Sequence, residues 1–131
     1  MISLDTNILV RYLEQDDLQQ AKIADQIINS SLSRGEEILI THIVLCELVW
    51  VLDTCYDHTR DELIAMLEKL FRTAQFVYED KAVLWGAWED YRAGKGDFPD
   101  YLIGRAAKQA GAVTTHTFDK SLKHSPLFTV A

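Results

Sequence analysis

Hydrophobic positions along the chain follow two alternating patterns, short apolar runs and longer stretches with helical spacing. "MISL" is a brief apolar run that ends at Asp5. "TNILVRYL" follows, with Ile8, Leu9, Tyr12 and Leu13 spaced for one helical face. Residues 17–33 put Leu18, Ala21, Ala24, Ile27, Ile28 and Leu32 on one stripe. "EILIT" reads as a strand, and the apolar stretch "THIVLCELVWVL" after it reads as a helix. Thr59 opens another helix, with Leu63, Met66, Leu67 and Leu70 as its apolar face. "QFVY" is a short strand, and residues 80–93 are helical. "GKGDFPD" interrupts the pattern, "YLIGRAAKQA" resumes it, and Gly111 closes that helix. "AVTT" and "LFTV" complete the set of strands.

Strands separated by helices predict an α/β sandwich around a mainly parallel sheet. With no repeat, linker or low-complexity run, residues 1–131 are expected to form one domain. In such sheets ligands gather beyond the carboxyl ends of the strands. Two acids stand at such ends, Asp5 after "MISL" and Asp119 four residues past "AVTT".

Composition narrows the class. A chain that is 48% hydrophobic and 25% charged is expected to be globular. The start, "MISLD", lacks a positively charged leader region, and the apolar run around Glu47 is shorter than the about 20 residues that span a bilayer. Cys46 and Cys55 form no zinc or disulfide pattern, so a cytoplasmic protein is expected. The net charge of −7 argues at first against a nucleic-acid partner. Its distribution changes that. Residues 1–91 carry 7 basic and 17 acidic side chains, whereas residues 92–131 carry 6 basic and 3 acidic ones. Those 3 acids, Asp97, Asp100 and Asp119, stand out in an otherwise basic segment.

Each acid has an ordinary structural use against which function must be weighed. Asp5, in "LDTN", could simply cap a helix, but Thr6 and Asn7 beside it supply more polar groups than capping needs. Glu47 has Ile43, Val44, Trp50 and Val51 at helical-neighbour spacing. A carboxylate on such a face calls for a compensating cation, a buried basic partner or an escape to solvent. Asp97 and Asp100 flank Pro99, which suits a first helical position and places Asp100 in the first turn. The apolar "YLI" after Asp100 makes it better placed than Asp97 to face a concave site. Asp119, in "THTFDK", also fits turn chemistry. Taken together, acids on separate elements with no convergent His or Cys set specify hard oxygen ligands, which prefer Mg²⁺ or Mn²⁺.

The ordered set "LDTN", "CELVW", "GDFPDYLIGRAA" and "THTFDK" resembles the PIN-domain ribonucleases, and more narrowly the VapC-type toxins of toxin–antitoxin pairs. The likeness runs from Ile2 to Val130. It implies a three-layer α/β/α fold in which Asp5, Glu47, Asp100 and Asp119 match the family's acidic quartet and Asp97 an additional acid. Asn7 and Thr6, with Thr115 or Thr117, match supporting polar positions. It also implies a homodimer neutralised by a VapB-like antitoxin.

The resemblance leads to a metal-dependent endoribonuclease that cleaves tRNA or rRNA with an activated water. Asp5 and Asp100 would be the principal ligands, with Glu47 and Asp119 contributing directly or through water. Arg92, Lys95, Lys120 and Lys123 are candidates for contacts with the RNA backbone. The competing readings are a catalytically inert dimeric binding module and a PIN-like nuclease acting on another nucleic acid. A phospho-receiver domain would need an acidic pair after the first strand. A haloacid-dehalogenase-like phosphatase would need Asp-x-Asp where this chain has "DTN".

Overall fold

Helix starts are written into this chain as a repeated device, an Asp or Thr in extended conformation whose side chain accepts a backbone N–H three residues on. Asp17, Thr41, Thr59 and Asp80 all do this, bonding the amides of Gln20, Val44, Glu62 and Val83. At Thr59 the device is reciprocal, because Glu62 accepts from the Thr59 amide at 3.0 Å. The computed structural model describes all of residues 1–131, which divide into two compact units, Met1–Glu79 and Asp80–Ala131.

The first unit runs β1 (Ile2–Ser3), α1 (Thr6–Glu14), α2 (Leu18–Ser33), β2 (Ile38–Ile40), α3 (His42–Thr54), α4 (Arg60–Phe71) and β3 (Phe76–Tyr78). Its three strands are parallel in the order β1-β2-β3, with Ile2 opposite Ile38 and Ile38 opposite Phe76. Ile38, Ile40 and Phe76 are buried with Leu9, Ile28, Leu45, Leu48 and Phe71. The α2 stripe is narrower than its spacing predicts. Ala21, Ala24 and Ile28 are buried, whereas Leu18 is 81% exposed and Ile27 is also exposed. Small alanines form the contact row there, and the larger residues at its margins stay in water.

The second unit comprises α5 (Lys81–Ala93), α6 (Phe98–Gln109), β4 (Thr115–Thr117), a 3₁₀ turn (Lys120–Leu122) and β5 (Phe128–Val130). Helices α5 and α6 pack on each other, with Leu84, Ala87, Trp88, Tyr91, Phe98, Tyr101 and Leu102 buried. Strands β4 and β5 are parallel, Thr115 facing Phe128. Gly104 on α6 admits the Phe128 ring, since a Cβ there would stand 2.8 Å from its Cζ.

The α/β class with parallel strands expected from the sequence is the one observed. Two boundaries differ. Helix α6 begins at Phe98 rather than after the "GDFPD" break, with Pro99 in its first turn. The strand expected at "AVTT" lies instead at Thr115–Thr117. Its first residues are taken by the end of α6, where the Gly111 amide bonds Lys108 O and the Ala112 amide bonds Ala107 O. Gly111 adopts φ +103, and Val113 beyond it is 99% exposed. No helix is long and apolar enough to cross a membrane.

His58 ties the first unit together by bonding Glu14 at the end of α1 and Glu62 in the first turn of α4. The hydrogen bond to Glu14 raises its pKa above the ordinary 6.5, against a smaller opposing effect of burial. A raised pKa means that the folded state holds the proton more tightly than the unfolded chain does. The stability it supplies is therefore complete below about pH 6.5 and lost as pH rises through the folded-state value. Thermal unfolding followed from pH 5.5 to 8.5 should show this decline in the wild type and lose it in His58→Gln.

Candidate active site

Asp5 breaks the capping pattern. It flanks α1, but its Oδ1 accepts from the next amide, Thr6 N, at 2.8 Å, and the bond three residues on is not made. One carboxylate oxygen is thereby fixed and the other has no protein partner. Thr6 is buried with its Oγ1 unbonded, an unused polar atom beside this exposed acid. Asn7 is exposed on the first turn of α1.

Glu47 lies in the middle of α3 and is exposed, so its carboxylate keeps its water. The sequence neighbours that made it look costly do not desolvate it. Ile43 and Trp50 are themselves 71% and 62% exposed, while the core residues Val44, Leu45, Leu48 and Val49 point elsewhere. The chain spends its burial on a different stripe of α3. The need for a compensating charge at Glu47 is thus removed, and its position on a solvent face is what remains.

Within the second unit, Asp100 lies in electrostatic reach of two other acids, Asp97 and Asp119. Asp100 occupies the first turn of α6, between buried Phe98 and buried Tyr101 and Leu102. Its Oδ2 accepts from the Asp97 amide at 3.3 Å. Burial is the largest cause raising its pKa, and the charges of Asp97 and Asp119 push the same way against that amide bond. Asp119 is exposed, but its Oδ1 takes both the Ser121 amide at 2.9 Å and the Ser121 hydroxyl at 2.7 Å. These bonds hold its pKa below the usual carboxylate range. Its own amide donates to Thr117 Oγ1 at 3.1 Å; Thr115 and Thr117 both pair with β5, opposite Phe128 and Val130, and Thr115 makes no such bond to Asp119. Asp97 is exposed at the start of α6.

Asp5, Asp100 and Asp119 therefore share one arrangement. A backbone or hydroxyl donor anchors one oxygen, and the protein leaves the other unbonded. That arrangement fits a cation ligand, which must present a free lone pair in a set direction. No group of three or more His, Cys, Asp or Glu side chains is assembled into a cage of its own. Mg²⁺ does not need one, because it is commonly held by one or two carboxylates together with waters and substrate phosphates.

Of the basic candidates, Arg92 is engaged with Glu89 at 2.7 Å and lies over the Trp88 ring. Lys95, Lys120 and Lys123 are exposed. Sequence reasoning missed Ser121, although an aspartate followed two residues later by serine is a signature of a side-chain turn. It also missed Glu79, which accepts from the His42 amide at the start of α3, at 2.6 Å.

The PIN domain family profile matches residues 2–126, and the chain belongs to that family. A VapC ribonuclease of Aquifex aeolicus (strain VF5) is 25% identical to it over 120 residues, covering 92% of this chain and 88% of that protein. No solved structure matches.

The electrostatics of Asp100 yield a stability test. Its raised pKa means that ionising it costs the folded state more than the unfolded chain, so the cost appears as pH rises above about 4. Asp100→Asn keeps an acceptor for the Asp97 amide and removes the charge. It should raise Tm at pH 7 measurably above that of the wild type. The gain should vanish below about pH 4.

Proposed function

We propose that residues 1–131 act as one PIN-like domain and that the protein is a metal-dependent endoribonuclease, the toxin of a toxin–antitoxin pair. The observation that carries this reading is the shared state of Asp5, Asp100 and Asp119, each anchored through one oxygen with the other open. The family match, which runs through both compact units, and the VapC ribonuclease likeness support it. The proposed catalytic set is Asp5, Glu47, Asp100 and Asp119, with Asp97 as an additional acid, and the proposed ion is Mg²⁺ or Mn²⁺.

When bound, the divalent ion would supply an acidified water and offset charge on the scissile phosphate. The chain's own part is orientation. Thr6 N aims Asp5, the Asp97 amide aims Asp100, and Ser121 with Thr117 holds Asp119. The half-burial of Asp100 limits competing water, which strengthens its attraction for positive charge. Structured RNA, tRNA or rRNA, is the proposed substrate class. A VapB-like antitoxin and a second copy of the chain are the proposed partners. The exposed Ile43 and Trp50, flanking Glu47 on α3, support such an assembly surface.

The purified protein incubated with total tRNA and rRNA should cut in Mn²⁺, stop in EDTA and recover when the ion is returned. Asp5→Asn and Asp100→Asn should each lower the rate by about 100-fold, the scale of losing one preorganised charge-stabilising group. Their circular dichroism should match the wild type. Full cleavage by folded Asp100→Asn would refute the reading.

A further inference from the structure

A cleft of about 310 Å³ opens in the second unit, and Lys95, Tyr101, Ser121, His124 and Ser125 contribute to its lining. We infer that it is an anion subsite that holds a phosphodiester of the RNA strand next to the one being cut. The inference rests on the nuclease reading for the identity of the strand.

The charge balance of the cleft points to an anion. One acid lines it, Asp90, and Arg105 neutralises that residue through two bonds, Nε to Oδ2 at 2.6 Å and Nη2 to Oδ1 at 2.8 Å. Lys95 enters no ion pair, so its ammonium is left for a ligand. The imidazole of His124 adds a polar group to the same lining, while the Ser121 hydroxyl there is committed as a donor to Asp119. This positive cleft exists in a chain whose formal charge is −7, so it is a local construction and does not follow from the overall charge.

The backbone carrying Lys95 is also held firmly. It lies between Gly94 and Gly96, and neither position has room for a side chain. A Cβ at Gly94 would collide with the Tyr101 hydroxyl, and one at Gly96 with the side chain of Leu122. The Gly96 amide donates to Tyr101 Oη at 3.0 Å in a buried bond. The turn is therefore fixed against α6.

The cleft shares its wall with the acids. Ser121 lines it while donating its hydroxyl to Asp119, and Tyr101 follows Asp100 directly on α6. A phosphate seated between Lys95 and His124 would lie along the strand from one presented to those carboxylates. Apolar Ala93 and Pro126 complete the lining, a surface suited to a ribose or base.

The test is binding of a fluorescein-labelled 12-nucleotide single-stranded oligouridylate in EDTA, read by anisotropy across a salt series. Lys95→Gln/His124→Gln should weaken binding at least ~5-fold and lower the salt slope by about 0.7 for one lost phosphate contact. Lys95→Glu should weaken it further, and Lys22→Gln, outside the second unit, should bind as the wild type does. Inorganic pyrophosphate should shift the amide resonances of residues 94–96 and 121–125. Unchanged affinity and slope in the folded double variant would overturn the inference, as would amides that ignore pyrophosphate. Stronger competition by oligoglutamate than by RNA would overturn it too, in favour of an acidic peptide. Cleavage of tRNA in Mn²⁺, measured on the same wild-type preparation, separates the two claims. RNA cut with a silent cleft sinks only the subsite, and a responsive cleft without cutting sinks only the nuclease reading.

Discussion

Asp100 cannot leave the place where two other carboxylates repel it. Its neighbours Phe98, Tyr101 and Leu102 are buried in the second unit, so the first turn of α6 is pinned by hydrocarbon. Burial and the charges of Asp97 and Asp119 then make its ionised form costly. The apolar contacts of one helix thus maintain an electrostatic cost on its solvent-facing side. The stability of the rest of the fold carries that cost, and in the proposed nuclease a small hard cation would relieve it.

The surrounding hydrogen bonds give this cost a direction. Ser121 binds one oxygen of Asp119, and the Asp97 amide binds one oxygen of Asp100. Asp5 in the first unit follows the same plan through Thr6 N. The four caps that bond three residues ahead use their side chains to close helices. Asp5 forgoes that bond, which sets it apart from the four structural caps and supports its place in the proposed site. The positive cleft beside Asp119 adds the complementary sign, and Arg105 keeps Asp90 from cancelling it.

Much of this was legible in the residues before any coordinates. Thr59 announced α4, Gly111 announced the end of α6, and the short apolar runs announced parallel strands. Asp5, Asp97, Asp100 and Asp119 could be named because they sit at element boundaries, where periodicity breaks. Of the three readings left open for Glu47, escape to solvent is the one the fold takes, because counting apolar neighbours at helical spacing does not reveal which stripe is buried. Ile43 and Trp50 are as hydrophobic as the core residues beside them, yet they face solvent. The start of β4 was also hidden. Ala112 and Val113 have strand-like composition, but the cap of α6 claims that stretch, and pairing begins only where Thr115 meets Leu127 O. Ser121 was overlooked although its spacing from Asp119 is local, whereas the cleft that brings Lys95 and His124 into one lining depends on which segments fold back together.

The most direct measurement is the titration of the Asp100 carboxyl carbon by NMR, with and without Mg²⁺, on the full chain. A pKa above the ordinary carboxylate value is expected in the absence of the ion, with a clear fall when Mg²⁺ is added. An ordinary pKa that Mg²⁺ leaves unmoved would contradict that expectation.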